Sequence, residues 1–450
     1  MAKKILIPVI LILIAAGPVC ADPNDLNFDG IFEMALDLPR IYFLLKKEAN
    51  DPPLEYEGNF ELNWAFLDTG ASGILLSKET VDMLGIDLDP NGEYIDVGIG
   101  GIEAFDVSEP LYIGTDTFDD PDPYNPDNYL VSGKWQFQVK RFYAGEWPDE
   151  PIDLVGVPAM AGKTVIFYPG QTNDLGYFIA EIKEPNDPGI PHVDFNVPIR
   201  FEKYIAPNDP MQTPPLPVLA YNPVIDNVKF EYNGKTATAT LVLDTGGTVS
   251  LISSAIANRL GLTDANGTPI VTPDFTIPIG GIGGEVELPG YQINNLIIPT
   301  LNGYNVAYNN ARICVSDIGM INEDTNEFVI LDGIFGSNFL CASATLDLDL
   351  AATPYDAIVL DTKKGLLGFD VNSIYPLPAP SKSCCGDNEH PWLKGDLNRD
   401  CKTDFKDIRI LAEEWLSLCD PLNWNCRQAD FNLDGTTDFR DYAGILNNGW

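Results

Sequence analysis

Two Asp-Thr-Gly tripeptides, Asp68-Thr69-Gly70 and Asp244-Thr245-Gly246, are the residues of this chain whose type and setting could do chemistry. Each closes an apolar run, in FLDTGASGILLS from Phe66 and VLDTGGTVSLIS from Val242. An acidic side chain at an apolar boundary resists ionisation, because charge is costly away from water. One such tripeptide is no more than an Asx-type turn ending a strand. Two that face each other would place like charges at one site, so that a single proton is held between them and the pair can serve as acid and base together.

Elimination points the same way. The only histidines are His192 and His390, both near prolines in loop-like sequence. A zinc-protease helix motif is absent, and a histidine-based triad has almost nothing to draw on.

The elements that must position the two aspartates repeat in the same order, which a chance pair of tripeptides would not do. SKETVDMLGID after the first and SSAIANRLGLT after the second each read as a short helix ending in Leu-Gly, at Leu84-Gly85 and Leu260-Gly261. GIGGIEA, with Gly98, Gly100 and Gly101, answers IGGIGGEV, with Gly280, Gly281 and Gly283. Glycines between β-branched residues suit mobile hairpins that let backbone lie close to a ligand. DLVGVPAM from Asp153 answers GIFGSNFL from Gly333. Alternation predicts strands over 41–45 and 60–67, and Asn233-Gly234 predicts a two-residue hairpin turn whose second arm delivers Asp244. The fold class expected is mainly β with an internal duplication.

The 450 residues allow two or three domains, and 45% hydrophobic with 21% charged residues is ordinary globular composition. A net charge of -39 argues against nucleic acid or anionic membrane as a partner. Residues 1–21 carry Lys3 and Lys4, an apolar run and Val19-Cys20-Ala21, the pattern of a cleaved secretory signal, so export is expected. No later stretch is long and apolar enough to span a bilayer. Seven cysteines remain after Ala21, clustered toward the C-terminus, and in an exported protein most are expected in disulfides, with one left over. DLNFDG, from Asp25 to Gly30, starts like a calcium loop, but Leu36 stands where the closing carboxylate belongs, so the match is read as chance.

The order apolar-DTG, Gly-rich hairpin, apolar-apolar-Gly resembles the aspartic proteases, and the Ile-Gly-Gly hairpins and IFGSNFL resemble the retropepsin branch. The likeness runs over about residues 40 to 370, with retropepsin-like halves fused in the pepsin manner. It implies a bilobal, closed-barrel fold, with an N-terminal lobe over 22–203 and a C-terminal lobe over 204–376, and the stretch from Tyr204 to Pro223 as connector. It implies Asp68 and Asp244 as catalytic dyad, with Thr69 and Thr245 bonded reciprocally beneath them. Gly70 and Gly246 would admit backbone amides, and the six hairpin glycines would form flaps over a polypeptide substrate. Ala71 and Gly247 stand where pepsins usually carry a hydroxyl donor to a carboxylate, which should raise the pair's pKa and favour mildly acidic pH. A monomer with both lobes in one chain is expected; the alternatives are a dimer pairing halves between chains, and a non-catalytic peptide-binding protein on the same fold. The insertion from Gly114 to Leu130 could cover the cleft.

After a linker over 377–394, GDLNRDCKTDFKD and ADFNLDGTTDFRD are two acidic loops with oxygen ligands at the spacing Ca²⁺ favours. The ligand sets are Asp396, Asn398, Asp400, Lys402 (carbonyl), Asp404 and Asp407, then Asp430, Asn432, Asp434, Thr436 (carbonyl), Asp438 and Asp441. Each loop runs into an apolar helix pattern. The duplicated unit, residues 395–450, resembles a type I dockerin, a small α-helical module, and the resemblance implies two Ca²⁺ ions, a cohesin-type partner and an extracellular setting. Cys401 replaces the glycine of the first loop's sharp turn, and a disulfide from Cys401 to Cys419 or Cys426 is expected to brace it.

Overall fold

The computed structural model describes residues 25–30, 32–145, 151–170, 176–207, 216–345 and 350–378, then 396–397, 405–419, 422, 426, 429–430 and 435–443. The signal-like segment and Asn398, Asp400, Lys402, Asp404, Asn432 and Asp434 lie outside the described residues.

The chain is mainly β, and its strands follow the duplicated pattern. In the first half the strand Arg40–Lys46 pairs antiparallel with Asn63–Leu67, whose last residues lie parallel beside Leu154 and Val155. In the second half Val242, Leu243 and Asp244 lie parallel beside Ile334, Phe335 and Gly336. The short helices Lys78–Leu84 and Ser254–Leu260 form for the same local reasons. Ser77 and Ser253 accept N-terminal amides, and Gly85 and Gly261 close the helices at φ 62° and 76°, a left-handed conformation that glycine takes without strain. Asn233 and Gly234 turn the hairpin between Asn222–Tyr232 and Lys235–Asp244, as the dipeptide predicts.

Hydrogen bonding joins the two halves. The strand Phe195–Glu202 pairs with Leu366–Val371 and, at its end, with Asn222–Tyr232. Thr164–Tyr168 pairs with Tyr355–Asp361. The first described residues also belong to the second half, because Leu26–Asp29 runs parallel beside Asn305–Asn309 and Met34–Ala35 pairs with Ser343–Ala344. Leu26–Asp29 of DLNFDG is thus a strand of the sheet. Glu33, 1% exposed, forms an ion pair with Arg312 of the second half. One apolar core holds Phe28 and Leu67 together with Leu243 and Phe369.

Three expectations are corrected. The segment Gly114 to Leu130 does not line the cleft. It extends the strand Leu111–Thr117, which pairs with Arg40–Lys46, and Phe118 stacks on Tyr42 with ring centroids 4.7 Å apart. Aromatic contact anchors it to an outer strand instead. Cys419 bonds to Cys426, with Cα atoms 5.3 Å apart, so neither pairs with Cys401. That Cα separation lies within the span a disulfide bridges. Finally, Cys314 and Cys341 are both free and buried, where burial pushes each thiol up to about 12, so more than one cysteine is left over.

Toward the C-terminus the helix Phe405–Glu413 buries Leu411 against Leu397 and Ala429, with Trp415 and Tyr442 packed around them. Phe439 is 73% exposed but meets Trp415 edge-on. Among the described residues no helix is long and apolar enough to cross a membrane.

Gly156 and Gly336 end the apolar-apolar-Gly runs because a Cβ at Gly156 would strike the carbonyls of Gly73 and Ala71, and one at Gly336 those of Val249 and Gly247. Substituting either by alanine should therefore lower stability by about 3 kcal/mol, as overpacking against backbone does, and urea denaturation of Gly156→Ala and Gly336→Ala checks it.

Candidate active site

The two Asp-Thr-Gly loops meet, and each holds the other. Thr69 Oγ1 donates to the carbonyl of Leu243 at 2.7 Å and accepts the Thr245 amide at 3.0 Å. Thr245 Oγ1 donates to the carbonyl of Leu67 at 2.7 Å and accepts the Thr69 amide at 3.1 Å. Both threonines are fully buried, so these four bonds satisfy groups that water cannot reach. All partners belong to one chain, which makes the site complete without a second copy.

The same contact explains the glycines. A Cβ on Gly70 would overlap the Asp244 carboxyl, and a Cβ on Gly246 would overlap the Asp68 carboxyl. Each loop leaves empty the space its partner's carboxyl fills. The Gly70 and Ala71 amides donate to Asp68 Oδ1 at 2.7 and 3.1 Å, and the Gly247 amide donates to Asp244 Oδ1 at 2.9 Å. Ala71 and Gly247 lack a side-chain hydroxyl, yet their backbone still supplies a donor.

Asp68 and Asp244 lie against one another at the floor of the cleft, each partly exposed to it. Burial raises the pKa of Asp68, while the bonds from Asp244 and from the Gly70, Ala71 and Gly246 amides oppose that rise. Burial also raises Asp244, and the neighbouring Asp68 charge pushes it well above the usual carboxylate range. The pair therefore holds one proton between its two carboxyls over a wide pH range.

A cleft of about 380 Å³ lies over the dyad, walled by apolar side chains that include Phe66, Leu75, Val97 and Ile279. The hairpins Leu88–Gly98 with Gly101–Ser108 and Phe275–Gly281 with Gly284–Gln292 come together above it. Gly98, Gly280 and Gly281 line the cleft, whereas Gly100, Gly101 and Gly283 form the contact between the two tips. The Gly100 amide donates to the Ile282 carbonyl at 3.0 Å, and a Cβ on Gly100 or Gly283 would strike the opposite backbone. The Gly283 amide donates to Glu103 Oε2 at 3.3 Å, and Glu103 also holds Lys140 at 2.7 Å. Gly280 has open space around it and is not sterically required.

Three functional positions escaped sequence reasoning. Asp96, 9% exposed on the first hairpin, lines the cleft and accepts from Gln138 Nε2 at 3.4 Å and the Val97 amide at 2.8 Å. Burial pushes its carboxyl up to about 6. Its only sequence signal was its place two residues before Gly98. Ser337, in the stretch answering DLVGVPAM, donates through Oγ to the Thr245 carbonyl at 2.8 Å. Asn222 donates through Nδ2 to the carbonyls of Thr69 and Gly70 at 3.1 and 2.8 Å, and nothing local in the connector marked it.

Of the acidic-loop positions, Asp396, Asp407, Asp430 and Asp441 are buried, and Thr436 and Asp438 are partly so. The Leu397 amide donates to Asp407 Oδ1 at 2.7 Å, the Gly435 amide to Asp430 Oδ2 at 2.9 Å, and the Asp438 amide to Asp441 Oδ2 at 2.8 Å. Several buried carboxylates in one small module are the donor chemistry a hard cation takes. Among the described residues, no group of three or more His, Cys, Asp or Glu side chains is arranged to hold a metal ion.

No protein-family model matches the chain, and no curated protein matches it. Solved structures do match, among them the crystal structure of an aspartic proteinase from Irpex lacteus, at 12% identity and a TM-score of 0.37, covering 75% of this chain and 97% of that one. At that level the likeness assigns no residue and no activity; the dyad geometry bears the functional reading.

The sign of the Asp96 effect follows from its burial. Its folded value of about 6 stands above the ordinary 3.8, so the stability it contributes is full below 3.8 and is lost as pH rises to about 6. Asp96→Asn should thus leave stability unchanged at pH 3.5 and raise it by up to about 3 kcal/mol at pH 7, read by urea denaturation at the two pH values.

Proposed function

We propose that this chain is an aspartic endopeptidase that cleaves polypeptide held extended under its two hairpins. The observation that carries this reading is the carboxyl pair set side by side by two interlocked Asp-Thr-Gly loops at the floor of a cleft. Asp68, ionised, takes a proton from a water placed between the carboxyls as its oxygen adds to the scissile carbonyl carbon. Asp244, protonated, donates to the carbonyl oxygen. The resulting tetrahedral diol collapses as Asp68 passes the proton it took to the amide nitrogen, one diol hydroxyl returns its proton to Asp244 and the C–N bond breaks, leaving a carboxyl, an amine and the dyad in its starting state. No covalent bond to the protein forms. Hairpin backbone can pair with the substrate strand while alternate side chains enter the apolar walls.

Both carboxyls titrate above their ordinary range, Asp244 further than Asp68. Activity needs Asp68 charged and Asp244 protonated, so it is lost toward low pH as Asp68 gains a proton and toward high pH as Asp244 loses one. kcat/KM should peak at mildly acidic pH and fall on both sides, and Asp68→Asn should lower kcat by about 10³-fold or more while peptide binding persists. Digestion of a peptide library across pH with both proteins measures this. Cleavage retained in Asp68→Asn would overturn the assignment; binding without cleavage in the unaltered chain would favour the non-catalytic reading.

The rest of the proposal is that the chain is exported and that residues 395–450 form a calcium-folded dockerin that docks on a cohesin-type domain. Asp396, Asp407, Asp430, Asp438 and Asp441 would hold two Ca²⁺ ions with the loop positions outside the described residues, and the burial of four of these carboxylates supports it. Calcium would neutralise buried charge and so supply folding free energy to this module. Chelation with EGTA should unfold residues 395–450 and leave the melting transition of the remainder in place, which differential scanning calorimetry with and without Ca²⁺ checks.

A further inference from the structure

We propose that Asn222 is a positioning residue for the dyad, aiming two backbone donors of Asp68 as Ser337 aims backbone of the second loop. This rests on the endopeptidase reading above.

The halves can be superposed residue by residue through their strand registers. Leu67 lies beside Val155 and Leu243 beside Phe335, which makes Val157 the counterpart of Ser337. Backbone bonds agree: the Val157 amide donates to the Ala71 carbonyl at 3.0 Å and the Ser337 amide to the Gly247 carbonyl at 2.8 Å. The side chains do not agree. Ser337 Oγ holds the Thr245 carbonyl, whereas Val157 has nothing to donate to the Thr69 carbonyl.

Asn222 fills that gap from the other half of the molecule, where the registers make it the counterpart of Leu38. The connector runs along the first loop, with the Val218 amide on the Gln136 carbonyl at 2.9 Å and the Ala220 amide on the Ser72 carbonyl at 2.7 Å. Two residues on, Asn222, 3% exposed, grips the carbonyls of Thr69 and Gly70. In a planar trans peptide the C=O and the following N–H point in opposite directions. Anchoring the Thr69 carbonyl therefore aims the Gly70 amide, and anchoring the Gly70 carbonyl aims the Ala71 amide. Those are the two amides that donate to Asp68 Oδ1. One neutral side chain thus sets two of the three amides that keep Asp68 ionisable. The titratable side chains lining the cleft with Asp68 are Asp244 opposite, Asp96 on the first hairpin and Tyr204 near the connector. Asn222 adds no charge to that set, so its effect passes through peptide orientation.

The test compares Asn222→Ala, Asn222→Asp and the double variant Asn222→Ala with Val157→Ser. In Asn222→Ala the acid limb of kcat/KM should move up by about one pH unit, with kcat about tenfold lower and KM little changed. Asn222→Asp, which sets an acceptor against two carbonyls, should be more impaired than Asn222→Ala. Adding Val157→Ser, which copies the second loop's solution into the first, should return most of the acid limb. Carboxyl ¹³C NMR titration of Asp68 gives the same readout without turnover. If the unaltered chain cleaves no peptide, the endopeptidase reading fails while the Asp68 titration still decides the role of Asn222. An unmoved Asp68 titration in a folded Asn222→Ala, or no recovery with Val157→Ser, would overturn the proposal.

Discussion

Each Asp-Thr-Gly loop is held in place by the other, and most of the molecule follows from that reciprocity. Thr69 and Thr245 are fully buried, and the hydroxyl and amide of each find their partners across the junction. Gly70 and Gly246 vacate the volume that the opposite carboxyl enters. A half on its own would leave buried donors and acceptors unpaired, at a cost of about 1 to 3 kcal/mol for each group. This constraint accounts for the strands that pass between the halves. Thr164–Tyr168 beside Tyr355–Asp361 and Leu26–Asp29 beside Asn305–Asn309 keep the loops opposed without help from a ligand.

The two halves are alike in backbone and unlike in the side chains that finish the site. The first loop relies on a connector asparagine where the second uses its own serine. The carboxyls are unlike as well: Asp68 accepts both the Gly70 and Ala71 amides on one oxygen, whereas Asp244 lies next to a charge that raises it further. A symmetric pair would leave the proton undecided. Asymmetry gives one carboxyl the role of base and the other that of acid, which is the division of labour that acid–base catalysis at a shared water requires.

What could be read from the chain was local. Ser-capped helices closed by Gly85 and Gly261, the Asn233-Gly234 turn and the glycine-punctuated hairpins are set by conformational preferences within a few residues, and the structure has them where the pattern put them. Asp96 and Asn222 were invisible for a matching reason. One acidic residue among 66 and one asparagine in a proline-rich connector carry no local mark, since what distinguishes them is the cleft and the loop they reach. The insertion from Gly114 to Leu130 misled because its length was legible and its anchor, Phe118 against Tyr42, was not.

By itself the sequence determined that two acidic turns exist, that each ends an apolar strand, and that hairpins and glycine-terminated runs accompany both in the same order. Repetition of a local pattern survives in one dimension. Only the tertiary structure decided that the turns face each other, that their carboxyls share one site, and that Asn222 reaches the first loop. Those outcomes depend on burial and on hydrogen bonds between residues far apart in the chain, and neither quantity exists until the two halves have closed on one another.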